Sequence, residues 1–423
     1  MNGGSVLETK EKKMSLKNQL LWSTVGNFVL LFGQWGISVI LTRFEGFEQA
    51  GIFTLAMTIA NVFAFVASYS TRHYMTSDSK EQFSREQYIK TRLFTVVLSF
   101  ALCGLFLVLY RYNSVNTAAI LLYTVYANST MIADIFYGCY QLGDHLEYAG
   151  YATIIKGCGC LLSFVIVVLI TSNILYALLA MDVVAILVLL CYEIPKYHVL
   201  FGRISKIEKK DFKATVDLMT RCFPLMISFL LPTLITALPR MSIQQKLGET
   251  LLGVFGSIFT PTVVITTLVP SVITALVPMY SELWAQENHK SFYTCVAWMV
   301  LGVFLLGAAA CAAAAILGKP VMSLLFGDAI LEYFDLLYVA IIATTLCALT
   351  SCGSIFLTIV RRMKMTMVSV VACLACVAVS LTITVDLFGI YGAAYTLIIG
   401  YTMQLIIQYG ALAFVDRQRG KQE

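Results

Sequence analysis

Five charged side chains lie inside long apolar runs: Asp134, Lys156, Asp182, Asp217 and Arg221. Two more, Arg43 and Arg240, stand where such runs end. A charge in hydrocarbon is costly and marks function by default. Arg221 has Asp217 four residues before it, so a local helix pair and a functional cation are both open readings. Lys156 can snorkel to an interface or face the interior. Asp134 and Asp182 have no cation within four residues, which makes them candidates for pairing with Lys156 and Arg221 or for exchanging protons.

Uncharged polar residues fall on faces as well. Ser23, Asn27, Gln34 and Ser38 share a narrow arc of one helix, as do Thr54, Thr58, Asn61 and Ser68 of the next. Ser257, Thr260, Thr267, Ser271 and Thr274 form a third stripe. One such stripe is readily explained by hydrogen bonds between helices. Three favour a shared polar cavity, with Asn27, Gln34, Asn61, Thr267 and Ser271 among its lining. Prolines gather nearby: Pro224 and Pro232 in one run, Pro261, Pro270 and Pro278 in the next. Each removes a backbone hydrogen bond, so Pro224, Pro232, Pro261 and Pro270 are candidate hinges.

Catalytic chemistry has no comparable support. There is no phosphate-cradling Walker sequence, no His-Glu-x-x-His and no nucleophile elbow. The four histidines are scattered, and the pair Cys373–Cys376 has no second pair to complete a metal site. Neither enzyme activity, a metal nor a cofactor is expected. The 12 cysteines lie in or beside apolar runs, where cysteine acts as a small hydrophobe.

The elements carrying these residues are membrane spans. Of the 423 residues 59% are hydrophobic and 13% charged, about half the charge of a soluble domain. The mean hydropathy is +0.81. Twelve runs are long enough to cross a bilayer: 20–42, 49–70, 92–110, 117–140, 149–171, 174–192, 214–238, 250–280, 292–317, 334–358, 365–385 and 390–415. With the N-terminus in the cytoplasm, 22 of the 29 lysines and arginines fall on the cytoplasmic side and five outside. This predicts an all-α, multi-pass protein with both termini cytoplasmic. The net charge of +5 is thereby a matter of topology, and nucleic acid is not an expected partner.

The chain also repeats itself. Arg43 precedes Gly46-x4-Gly51-Ile-Phe, and Arg240 precedes Gly248-x4-Gly253-Val-Phe. Each lies between the first and second span of a six-span set. The expected organisation is a cytoplasmic tail (1–19), a six-helix bundle (20–192), a basic cytoplasmic linker (193–213), a second bundle (214–415) and a C-tail (416–423). An even number of spans per half makes the two bundles parallel repeats.

The stretch Thr42-Arg43-x2-Gly46-x4-Gly51-Ile52-Phe53 resembles the oligosaccharide-lipid flippases, the polysaccharide branch of the multidrug/oligosaccharidyl-lipid/polysaccharide exporter superfamily. Pro224, Arg240, Gly248 and Gly253 are similar in the second half, although Pro239 stands where the family often has an aspartate. The resemblance implies two six-helix bundles around a central cationic cavity. It implies a plasma-membrane transporter that moves a polyprenyl-diphosphate-linked oligosaccharide, a precursor of cell-surface polysaccharide, from inner to outer leaflet by alternating access. Its partners would be that substrate, membrane lipids and other membrane proteins of polysaccharide assembly. Arg43, Lys156, Arg221 and Arg240 become candidate substrate cations, and Asp134, Asp182 and Asp217 candidate coupling residues or charge partners. A cation-coupled drug exporter of the same superfamily is the main alternative, but no acid lies between Leu20 and Thr42. A non-transporting membrane enzyme or scaffold of envelope assembly is the lesser one.

Overall fold

The computed structural model describes residues 14–78, 82–205 and 209–419, which are helical nearly throughout and contain no strand. Residues 1–13 of the N-tail, 206–208 of the linker and 420–423 of the C-tail lie outside the described residues. Among the described residues, eleven helices are long and apolar enough to cross a membrane. The count is one below twelve because the first two spans are joined. Helix α1 (Leu16–Ser68) runs for 53 residues and bends only at Gly46, at φ 89° and ψ 176°. An L-side chain adopts that conformation at a cost, so the glycine supplies the corner. The expected loop between the spans is thus a single-residue hinge in a helix.

Helices α2 (Thr71–Ser77), α3 (Arg85–Tyr110), α4 (Ser114–Leu142), α5 (Glu147–Thr171) and α6 (Ile174–Val188) follow. A π-helical turn, Leu189–Glu193, leads into α7 (Ile194–Phe201). Helix α8 (Lys209–Leu247) passes Pro224 and Pro232 without interruption. Gly248 then turns the chain into α9 (Glu249–Phe259) at φ 89° and ψ 177°, the same corner as Gly46 to within a degree. The repeat seen in the sequence therefore extends to backbone dihedrals.

The run 250–280, read as one span, is two helices. α9 stops before Pro261, whose ring cannot follow a helical turn. Tight bonds from Thr262 N–H to Phe259 O and Val263 N–H to Thr260 O carry the chain into α10 (Val263–Ala285). Pro270 and Pro278 stay inside α10. Helix α11 (His289–Ala313), a second π turn (Ala314–Gly318), α12 (Lys319–Phe326), α13 (Asp335–Ile359), α14 (Met363–Phe388) and α15 (Ile390–Arg419) complete the chain.

Two compact units result, and each draws on both sequence halves. The first comprises the described residues up to Ile37 together with Phe63–Met226. In it α1 and α5 cross backbone to backbone at paired glycines seven residues apart. A Cβ on Gly26 would lie 2.7 Å from Gly150 O, and one on Gly157 would lie 3.2 Å from Leu30 Cα. Such small-residue crossings replace the hydrophobic driving force that lipid removes.

The second unit joins Ser38–Val62 to the described residues from Ile227 onward. Here the upper part of α1 crosses α9 even more closely. A Cβ on Gly51 would lie 1.8 Å from Glu249 O, and one on Gly253 would lie 1.9 Å from Phe47 O. The contact is reciprocal: each glycine meets the residue just after the other segment's corner. Thr54 fills the space beside Gly256, and Thr42 Oγ1 is 3.1 Å from Ser257 Oγ.

Candidate functional site

In the first unit the interior charges are paired. Arg92, with no exposed surface, donates to Met131 O at 2.8 Å and Thr71 Oγ1 at 2.9 Å, and reaches Asp134 at 3.4 Å. Arg72 approaches the other oxygen of Asp134 at 2.7 Å. Asp134 is therefore the partner of two arginines, not of Lys156 or Arg221. Arg72 and Arg92 bound the loop expected between the second and third spans and gave no sign of reaching the interior. Their distance from Asp134 along the chain hid the pairing.

Lys156 does not snorkel. It is 1% exposed and lies 3.1 Å from Glu193, which is fully buried in the π turn after α6. Tyr137 donates its hydroxyl to Glu193 Oε1 at 2.5 Å, and Tyr140 donates to the Glu193 main-chain oxygen at 2.9 Å. The sequence placed Glu193 first in a linker; the structure makes it a core residue. Asp182 is also buried, and its Oδ1 has no hydrogen-bond partner among the described residues. Arg221 pairs with Asp217 at 3.2 Å and donates to Gln82 at 2.6 Å. Of its two open readings, the local pair is the one formed.

The second unit holds Arg43 and Arg240. Arg43 is exposed and donates to Ser323 O at 3.3 Å, near the C-terminal end of α12. A helix C-terminus favours a cation, and no carboxylate is needed to hold this one. Arg240 is half-buried beside Tyr401. It has no hydrogen bond or carboxylate partner among the described residues. Lys246, by contrast, is paired with Asp386 at 2.6 Å.

The polar stripes divide between the units. Asn27 and Gln34 belong to the first, Asn61, Thr267 and Ser271 to the second. Asn27, Asn61 and Ser271 are exposed, and Gln34 and Thr267 half-buried. Thr54, Thr58, Thr267 and Ser271 satisfy their hydroxyls on the carbonyl four residues back, so these bonds tie no helices together. Each such hydroxyl keeps lone pairs for another donor.

One polar cluster escaped the sequence entirely. Lys90 of α3 is 2.8 Å from Asp211 and donates to Ser205 Oγ at 3.0 Å. Gln87 Nε2 donates to Thr215 Oγ1 at 3.0 Å and to Asp211 O at 3.2 Å. Glu86 accepts from Ser205. Both helix ends looked like charged loop flanks, and only the fold brings them together.

Residues 16–284 match the polysaccharide biosynthesis protein family. The chain belongs to that family. The capsular polysaccharide biosynthesis protein CapF of Staphylococcus aureus is 24% identical over 395 residues, covering 91% of this chain and 96% of its own. Among solved structures, the lipid II flippase MurJ in an inward closed conformation superposes with a TM-score of 0.71 at 12% identity, covering 93% of this chain and 87% of that one. An inward-facing multidrug resistance transporter of the MATE family, from the MOP superfamily, gives 0.65 at 13% identity, covering 95% and 96%. At those identities the likeness is one of fold. Both of those solved structures are of membrane transporters.

Proposed function

We propose that this polysaccharide biosynthesis family member flips a polyprenyl-diphosphate-linked oligosaccharide from the inner to the outer leaflet of the plasma membrane by alternating access, with both termini cytoplasmic. The observation that carries the reading is Arg240: a half-buried cation with no anionic partner, on a membrane helix of a family concerned with polysaccharide assembly. Desolvating a guanidinium without a counter-charge is costly. A diphosphate offers the planar, bidentate acceptor that suits arginine. Arg43, exposed and donating to the Ser323 carbonyl, is a further candidate cation for the diphosphate. Lys156 and Arg221 already have carboxylate partners and contribute less.

The polar residues Asn27, Gln34, Asn61, Thr267 and Ser271 serve sugar hydroxyls in this reading. A diphosphate and several sugars would otherwise strand many polar groups in hydrocarbon, at several kcal/mol each. Asp182, buried with an unpaired oxygen, is the proposed coupling residue. Other membrane proteins of polysaccharide assembly are its proposed partners.

The test is reconstitution into liposomes with a fluorescent polyprenyl-diphosphate sugar, followed by quenching from outside. Protein-dependent loss of protection supports the flippase. Retention of all label in its original leaflet, with the protein correctly folded, rejects it.

A further inference from the structure

Lys156 on α5 and Glu193, the last residue of the π turn after α6, are 1% and 0% exposed. The ammonium lies 3.1 Å from Glu193 Oε1, an oxygen that already accepts from Tyr137. Two atoms of this sealed pair, Lys156 Nζ and Glu193 Oε2, make no hydrogen bond among the described residues. A buried ion pair repays its desolvation only when its remaining donors and lone pairs are satisfied. Apolar side chains of similar size would hold α5 against the turn at less cost. Nor does a π turn of this kind need a charge. The second one, Ala314–Gly318, has its proline at the same offset, Pro320 matching Pro195, and Gly318 stands where Glu193 does. The ring of Phe334 covers that glycine, 2.8 Å from where a Cβ would be. The first turn therefore carries charges that neither its packing nor its backbone requires.

We propose that the seam between α5 and the first π turn parts and fills with water in another conformation of the transport cycle, and that Lys156 and Glu193 serve that conformation. The inference rests on the alternating-access reading and adds the place at which the first unit opens. In the sealed form each unsatisfied polar atom raises the free energy. Water satisfies both atoms once the seam parts, with a donor for Oε2 and acceptors for the ammonium. The sealed form is raised and the hydrated one lowered, which keeps the two close enough to interconvert. The turn itself stays on α4, because Tyr140 donates to the Glu193 main-chain oxygen at 2.9 Å and Tyr137 to its carboxylate. It is α5 that draws away.

Cys160 reports the opening. It lies one turn beyond Lys156 on the same face of α5, 3% exposed, with its thiol 3.6 Å from Met181 O of α6. In a protein whose other cysteines are replaced, a small charged methanethiosulfonate should label it slowly but to completion. K156M/E193L has nothing for water to bind in the seam. It should melt no lower than the parent, and both its labelling and its flipping should be at least tenfold slower. K156Q/E193Q is neutral but still binds water, and should label within about threefold of the parent. Melting of K156M/E193L well below the parent overturns the inference, because the charges are then needed for packing. Equal labelling of K156M/E193L and the parent overturns it too, as does a parent that never labels. Slow labelling of K156Q/E193Q, or normal flipping with Cys160 protected, has the same force. The seam and the flippase can fail separately. Protection of Cys160 in K156M/E193L alone, with no flipping by the parent, keeps the seam and removes the flippase. Flipping by the parent, with labelling the same in both proteins, keeps the flippase and removes the seam.

Discussion

At the scale of single residues, the distinction between paired and unpaired cations predicts how substitutions divide. Arg240 has no carboxylate to satisfy, so Arg240→Ala should leave thermal stability near wild type while reducing flipping at least tenfold. Arg240→Lys keeps the charge but loses the planar fork, and should fall between the two in the liposome assay. Arg221→Ala, which removes only exposed contacts with Asp217 and Gln82, should transport nearly normally at matched protein levels. Glu193→Gln is the opposite case. It leaves Lys156 buried beside a neutral amide and should cost about 3 kcal/mol, read as a clear loss of thermal stability. The sequence announced that Lys156 and Asp134 were unusual, because charges in apolar runs are visible without a structure. Their partners were not legible. Glu193 is dozens of residues from Lys156, and Arg72 and Arg92 sit in stretches whose composition reads as loop.

Among elements, the two glycines of the first motif have different duties and should fail differently. Gly46 is needed for its backbone angle, and a Cβ there would touch nothing within 4 Å. Gly46→Ala should therefore cost only the backbone strain of an L-residue in a positive-φ, extended region nearly reserved for glycine, about 1–3 kcal/mol. Gly51 is needed for space: its Cβ would fall 1.8 Å from Glu249 O. Gly51→Ala must push α1 and α9 apart, and should raise the labelling of a cysteine placed at the buried Ser257 while Gly46→Ala does not. Unchanged labelling in both would show that the crossing relaxes locally. The glycine spacing was readable because it occurs twice. The break at Pro261 was not, since three prolines share the run and only the turn bonds at Thr262 and Val263 single one out. A subtler repeat went unread. Pro195-x5-Phe201-Gly202 and Pro320-x5-Phe326-Gly327 both follow a π turn and both end in a glycine at φ 87°. The widened turn accommodates a proline that would otherwise clash with the carbonyl a turn earlier. Such a turn has no composition of its own, which is why periodicity passes over it.

For the whole molecule, the fold class was the most legible property, because hydrocarbon imposes helices and helices of a minimum length. Orientation rests on the distribution of lysine and arginine. A cysteine at the exposed Arg203, just beyond α7, should be protected from an impermeant reagent in intact cells, and one at the exposed Glu332 should be labelled. Labelling at Arg203 with protection at Glu332 would invert the topology and the direction of transport with it. The compact units were beyond the reach of sequence. Hydropathy locates spans but not the points at which a helix passes from one unit to the other, after Ile37 and Val62 in α1 and after Met226 in α8.

The reciprocal crossing of Gly51 and Gly253 has a genetic consequence. Each glycine is a surface against which the other's segment lies, so damage at either site opens the same seam. Alanine at both positions should cost little more than alanine at one, a departure from additivity expected of residues that share a contact. In a population of such genes neither half can explore side chains at its glycine while the other stays fixed.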